Sequence, residues 1–291
     1  MLRRTLLSAL SASPLIAGVP ARAAGKFIET PDGQRLFYRD VGGGRPLVFI
    51  HGWTLSSAIW RGQLDWLASQ GLRAVAYDRR GHGQSSKPEG GYDYDRLTAD
   101  LATLFDRLDL HDVTLVAHSM GSGEAVRYLA RHGAARIARL LLIAPTTPFA
   151  LKTVDNPEGI DKSIYDKLVA ALHADRPAYL RSGIPAFLGQ KPDPGLVEWA
   201  LSIAEQASPS AQEQCIRAFT ETDFRGDLKT VTVPTLIQYG TADSPVTPGN
   251  ARRTQAGIAG SRLEIYEGAP HALFLTDMER FNRELLQFAR S

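Results

Sequence analysis

The sequence predicts an α/β protein: a doubly wound, mostly parallel sheet of eight strands, with helices on both faces and an all-helical insertion late in the chain. Three observations predict it. Short apolar, β-branched runs alternate with stretches of helical periodicity from Lys26 onward, the pattern of strands buried on both faces by helices. One run, Val113 to Ala117, passes within a few residues through Ser119 and Gly121 into a helical pattern, so strand meets helix at a sharp turn. The alternation then stops, and from about Thr153 to Gly226 the chain is helical and strandless.

Taken in order, two short strands around Phe27-Ile28-Glu29 and Arg35 to Tyr38 flank the turn Pro31-Asp32-Gly33, and a glycine-rich loop follows at Gly42-Gly43-Gly44. A buried strand, Leu47 to Ile50, ends in His51-Gly52-Trp53. Next come a helix from about Ser56 to Ser69, a strand Ala74 to Tyr77, and the loop Asp78 to Ser85. A helix around Tyr94 to Leu108 places Leu97, Leu101, Leu104, Phe105 and Leu108 on one stripe, as a helix covering a sheet requires. The strand Leu140 to Ile143 follows the helix after Ser119. The insertion has apolar positions such as Ile164, Leu168 and Leu172, with Pro177, Pro185, Pro192 and Pro194 as breakers. Placed over the carboxyl edge of the sheet, it reads as a lid. Strands Thr235 to Tyr239 and Leu263 to Tyr266 close the sheet, and a last helix packs back with Met278, Phe281, Leu285 and Phe288. The domain boundaries are 24–152 with 227–291 for the core, and 153–226 for the lid.

With 291 residues, 44% hydrophobic and 22% charged, the chain can bury a sizeable core and is not disordered. Its formal charge of +2 includes Arg3, Arg4 and Arg22; without them 30 basic side chains face 31 acidic ones, which excludes nucleic acid as an expected partner. The single cysteine, Cys215, rules out an intrachain disulfide and any cysteine-cluster metal site, and fits a small apolar residue on a helix face.

Residues 1–23 combine a basic start, an uncharged stretch from Leu6 to Val19 and Ala21-Arg22-Ala23, the layout of a signal peptide. Arg3-Arg4 resembles a twin-arginine start, and Sec export stays an alternative. The expected location is therefore periplasmic or secreted. After the leader no stretch is apolar for the ~20 residues of a membrane span, so no stable membrane insertion is expected after cleavage.

The chemistry starts from Ser119. Small residues two before and two after it, Ala117 and Gly121, let the backbones pass at a strained turn that holds the hydroxyl out at the carboxyl end of the sheet. The following helix N-terminus favours negative charge developing there. A serine hydroxyl needs a base, and the base an anion that fixes its tautomer. In this architecture both come from loops after late strands, in the order serine, acid, histidine. His271 follows the last strand, and Asp243 ends Tyr239-Gly240-Thr241-Ala242-Asp243 after the penultimate one. The alternative acid position after Ile143 reads Ala-Pro-Thr-Thr and holds no carboxylate. His51, His82, His111, His118, His132 and His173 read as structural or solvated imidazoles, His118 with its side chain directed away from the pocket. Oxyanion donors are the backbone N–H groups of Met120 and Trp53, and Trp53 is equally an acyl-pocket wall.

The segments HGWTLSSAIW, YDRRGHGQSS, VTLVAHSMGSGEAVRY, NPEG, ETDF, VPTLIQYGTADSPVTP and YEGAPHALF together resemble the α/β-hydrolase family of cofactor-free, non-haem haloperoxidases and aryl esterases, from about Phe27 to the C-terminus. The resemblance implies a Ser119/Asp243/His271 triad, an oxyanion hole at Trp53 and Met120, hydrolysis of small aryl or short-chain esters, and side perhydrolysis giving peracids that oxidise halide. It implies no metal, haem or flavin. The pocket residues expected are Trp53, Thr54, Phe149, Phe187 and Phe274. Family members typically carry Gly where Ala117 stands and often Pro where Thr54 stands, and commonly lack a leader. The expected partner is a small-molecule ester, with homo-oligomerisation left open. A perhydrolase, a lactonase or carbon–carbon bond hydrolase with the same triad, and a hydrolase-fold binding protein are the alternatives. Dehalogenase and epoxide-hydrolase chemistry need a carboxylate at position 119.

Overall fold

In the computed structural model, residues 26–291 are described, and the expected leader over 1–23 lies outside them. One eight-stranded sheet runs through the fold: β1 (Lys26–Glu29), β2 (Arg35–Gly42), β3 (Pro46–Ile50), β4 (Arg73–Tyr77), β5 (Val113–His118), β6 (Ile137–Ile143), β7 (Thr235–Gly240) and β8 (Arg262–Tyr266). Their order is β1-β2-β4-β3-β5-β6-β7-β8. β1 and β2 pair antiparallel, β2 joins β4 antiparallel, and every later pair is parallel. Every residue of β5 is buried, as expected of a central parallel strand covered on both faces.

Alternating side chains of the sheet feed two cores. Val48, Ile50, Leu115 and Ala117 pack on one side beneath helices α2 (Tyr94–Arg107) and α3 (Gly121–His132). Leu47, Phe49 and Val116 pack on the other beneath α1 (Arg61–Ser69) and the C-terminal helix, Met278–Arg290. α2 is capped by Asp93, whose carboxylate accepts from the Arg96 N–H at 2.9 Å, and it buries Leu97, Leu101, Leu104 and Phe105; Leu108 lies just past its end.

The helical insertion after β6 holds α4 (Lys162–Ala174), α5 (Arg176–Ser182), α6 (Ile184–Leu188), α7 (Pro194–Ala204) and α8 (Pro209–Glu221), followed by α9 (Arg225–Leu228). Three of the expected breakers begin helices instead, and Pro192 lies in the loop before α7. Pro177, Pro185 and Pro194 all stand in first turns, where the missing N–H has no intrahelical partner to lose. Cys215 on α8 is fully buried, and burial pushes its thiol up to about 12, so it is an unreactive core residue.

Three expectations need correction. The helix expected from Ser56 divides into a 3-10 turn, Ser57–Trp60, and α1. Between β7 and β8 lies α10 (Pro248–Gly257), whose weak apolar periodicity left it unread. In the C-terminal helix Phe281, Leu285 and Phe288 are buried, but Met278 is 43% exposed, because it is the first helical residue and sits beyond the core. That helix is α12, after the short α11 (Leu273–Thr276). Among the described residues no helix is long and apolar enough to cross a membrane.

Candidate active site

Ser119 occupies the turn between β5 and α3 with φ of +55°, a left-handed conformation uncommon for a residue with a side chain. The turn is held from both sides. Ser119 N–H donates to Ile143 O at 2.9 Å, while Ser119 O accepts from the Ser122 N–H at 2.9 Å and the Ser122 hydroxyl at 2.5 Å. Gly121 is required by contact: a Cβ there would lie 3.0 Å from the carbonyl oxygens of both Ile50 and His51. Helix α3 therefore starts directly against the loop after β3.

Asp243 and His271 reach Ser119 from the loops after β7 and β8. His271 Nδ1–H donates to Asp243 Oδ2 at 2.7 Å, and Ser119 Oγ–H donates to His271 Nε2 at 2.9 Å. The carboxylate can only accept, which puts the imidazole proton on Nδ1 and leaves Nε2 bare toward the serine. Asp243 is itself fixed, since its Oδ1 accepts from the Val246 N–H at 2.9 Å. All three residues are buried, with Ser119 8%, Asp243 7% and His271 6% exposed, and Ser119 and His271 line the cavity above.

The loop after β3 supplies the opposite wall. A Cβ on Gly52 would stand 3.2 Å from Ser119 Cβ, so this backbone runs beside the serine. Among the described residues, neither Trp53 N–H nor Met120 N–H donates to a backbone carbonyl, which suits both to an incoming oxygen. Trp53 is held through its indole N–H, which donates to Gln212 O of α8 at 2.8 Å, and by an edge contact with Tyr179 of α5. Thr54 has φ of +60°, an outlier conformation for a β-branched residue.

Beneath the loop lies a fully buried polar network that sequence reading did not find. Arg79 N–H donates to His51 Nε2 at 3.0 Å, so His51 keeps its proton on Nδ1 and donates it to Gly52 O at 2.8 Å. Arg79 Nη2 donates to His51 O at 3.0 Å, and the same guanidinium pairs with Glu124 of α3 at 2.7 Å. Glu124 also accepts from the Tyr77 hydroxyl. One arginine thus ties the Trp53 loop to the helix that begins after Met120. Removing either partner of such a pair typically costs ~3–5 kcal/mol. Burial, then the nearby Arg79 charge, pushes His51 well below the ordinary histidine range and His82 down to about 3. Both stay neutral and neither reaches Ser119.

A cavity of about 490 Å³ opens over Ser119 and His271, a size that fits a small organic molecule. Trp53, Thr54 and Phe187 line it together with Tyr165, Tyr179 and Ile184 from the insertion. Two expected pocket residues lie elsewhere. Phe149 is outside the lining, its ring covered by the Arg225 guanidinium at 5.4 Å. Phe274 is fully buried below the site, its ring tilted against Trp60 with centroids 4.3 Å apart, because α11 turns it into the core. His118, expected to point away from the pocket, is 1% exposed, and its ring packs beside that of His271 with centroids 4.7 Å apart. A residue next to an elbow serine gives no sequence signal for which distant loop folds over it.

Comparison with known proteins places this geometry in context. Residues 45–277 match the family model described as alpha/beta hydrolase fold. A non-heme chloroperoxidase of Kitasatospora aureofaciens is 39% identical over 89% of this chain and 97% of its own length. A bifunctional esterase/perhydrolase of Acinetobacter calcoaceticus is 34% identical over 91% of this chain and 99% of its own. Among solved structures, an esterase from Exiguobacterium antarcticum superposes with a TM-score of 0.89 at 32% identity, covering 92% of this chain and all of that one.

Proposed function

This chain belongs to the alpha/beta hydrolase family, and we propose that it hydrolyses small, uncharged carboxylic esters through an acyl-enzyme on Ser119. The observation that carries the proposal is the continuous chain of hydrogen bonds from Asp243 through His271 to the Ser119 hydroxyl at the floor of an apolar cavity. Ser119 Oγ attacks the ester carbonyl carbon while His271 Nε2 takes its proton. Asp243 stabilises the imidazolium, and Met120 and Trp53 N–H receive the oxyanion. The tetrahedral intermediate collapses and the alkoxide leaves with the proton from His271. Water then adds to the acyl-enzyme with His271 as base, releasing the acid and restoring Ser119. The insertion, helices α4 to α8, acts as the lid that walls the acyl and alcohol sites. The test is turnover of a panel of aryl acetates and butyrates, lactones and longer-chain esters by the purified protein. Steady release of acid from the short aryl esters is expected, and turnover of lactones alone would contradict this choice of substrate.

A second reading, perhydrolysis, is supported by the relatives named chloroperoxidase and esterase/perhydrolase. Hydrogen peroxide would replace water in the second step and release a peracid, which oxidises halide in solution. The residue that sets the balance is Thr54. Its φ of +60° is closed to proline, whose ring holds φ near −65°, so a proline here must swing the peptide it shares with Trp53. The Thr54 N–H donates to no backbone carbonyl among the described residues, so no backbone hydrogen bond there is lost with it. Thr54→Pro is expected to raise the ratio of peracid to acid by about tenfold, equivalent to ~1.4 kcal/mol on one of two competing steps, while the wild type favours hydrolysis. Both products are measured from one short-chain ester in the presence of peroxide; an unchanged or lower ratio would refute the role of Thr54.

A further inference from the structure

We propose that His118 is a positioning residue that holds the base His271 through a hydrogen bond to its main chain. The proposal rests on the acyl-enzyme reading above. His118 ends β5 and is 1% exposed. Its Nε2 lies 3.1 Å from His271 O, a carbonyl that can only accept, so Nε2 carries the proton and donates. No backbone N–H donates to that carbonyl among the described residues. At the other end of the same peptide unit, Ala272 N–H donates to Phe187 O of α6 at 2.9 Å. The backbone on the carboxyl side of His271 is therefore fixed by two contacts, one from the insertion and one from His118. The ring of His271 must meanwhile satisfy Asp243 at 2.7 Å and Ser119 at 2.9 Å together.

The other ring nitrogen argues that packing alone does not explain His118. With the proton on Nε2, Nδ1 is a bare acceptor, and it is buried with no hydrogen-bond partner. Its neighbour is Gly52 of the Trp53 loop, where even a Cβ would come within 2.6 Å of it. Trp60, Phe187 and Phe274 surround the ring with centroids 6.3, 6.2 and 4.9 Å away. Phenylalanine would suit that aromatic nest and would remove an unsatisfied buried nitrogen, a feature that lowers stability. A histidine there accepts that loss and gains one thing phenylalanine lacks, the donor to His271 O. Burial, and the positive charge His271 gains in each cycle, push His118 well below the ordinary histidine range, so it stays a neutral single donor throughout.

Three variants test this by kcat and KM on one aryl ester, with thermal unfolding alongside. His118→Phe is expected to lower kcat by ten- to a hundredfold with KM nearly unchanged, since misplacement of a catalytic group on the order of 1 Å costs up to about a hundredfold. Its Tm is expected to hold or rise, so activity and stability move in opposite directions, which a purely structural role does not give. His118→Gln, whose amide reaches the Nε2 position, should recover most of kcat, whereas His118→Asn, whose amide reaches only the Nδ1 position, should not. If His118→Phe fails to fold, the comparison of Gln with Asn decides, and equal kcat for those two overturns the proposal. Wild-type kcat in His118→Phe, or no recovery in His118→Gln, overturns it as well. A wild type that turns over no ester refutes the acyl-enzyme reading instead.

Discussion

Ser119→Ala and His271→Ala are each expected to lower kcat for an aryl ester by about four to six orders of magnitude, and Asp243→Asn by about four. The losses should not add: the double variant Ser119→Ala/His271→Ala should be no slower than either single one, because the groups act as one unit. Asp243→Asn is the most informative. Its amide can turn an N–H toward His271 Nδ1, which then accepts and moves the imidazole proton to Nε2, facing the Ser119 hydroxyl with a donor instead of the acceptor it needs. Circular dichroism should show all the variants folded. Asp243→Asn with kcat within tenfold of wild type would remove Asp243 from the acid role.

Gly52→Ala is expected to lower kcat by about a hundred- to a thousandfold, the cost of losing one oxyanion donor. The added methyl would stand 2.6 Å from His118 Nδ1, 3.1 Å from His118 Cε1 and 3.2 Å from Ser119 Cβ. The His118 ring cannot retreat, because Phe274 and Trp60 stand behind it. The loop must move instead, and it carries the Trp53 N–H away from Ser119. Gly43→Ala is the control, since nothing lies within 4 Å of its added Cβ and it is far from the cavity. Equal kcat in the two glycine variants would exclude the loop after β3 as the second oxyanion donor.

The sheet was legible in the sequence because its central strands are buried on both faces and so read as unbroken apolar runs, such as Leu47 to Ile50 and Leu140 to Ile143. That Ser119, Asp243 and His271 meet was legible because each follows a strand in chain order, and strand ends converge at one edge of the sheet. What the sequence left unread depends on contacts across long separations. Arg79 and Glu124 are 45 residues apart, and His118 and the carbonyl of His271 are 153 apart; neither pairing has a local signature. Phe149 and Phe274, expected in the pocket, lie one beneath the Arg225 guanidinium and the other against Trp60, contacts that no local pattern announces. The unusual φ of Thr54 was equally hidden, since threonine is a residue for which sequence predicts the opposite.

The central claim, that Ser119 is an activated nucleophile, is tested most directly by labelling the wild-type protein with a fluorophosphonate and locating the adduct by mass spectrometry. The account predicts one adduct per chain, on Ser119 within the tryptic peptide Leu108–Arg127, slowed by a competing aryl ester and absent from Ser119→Ala. No adduct on the folded wild type, or the same adduct on Ser119→Ala, would contradict it.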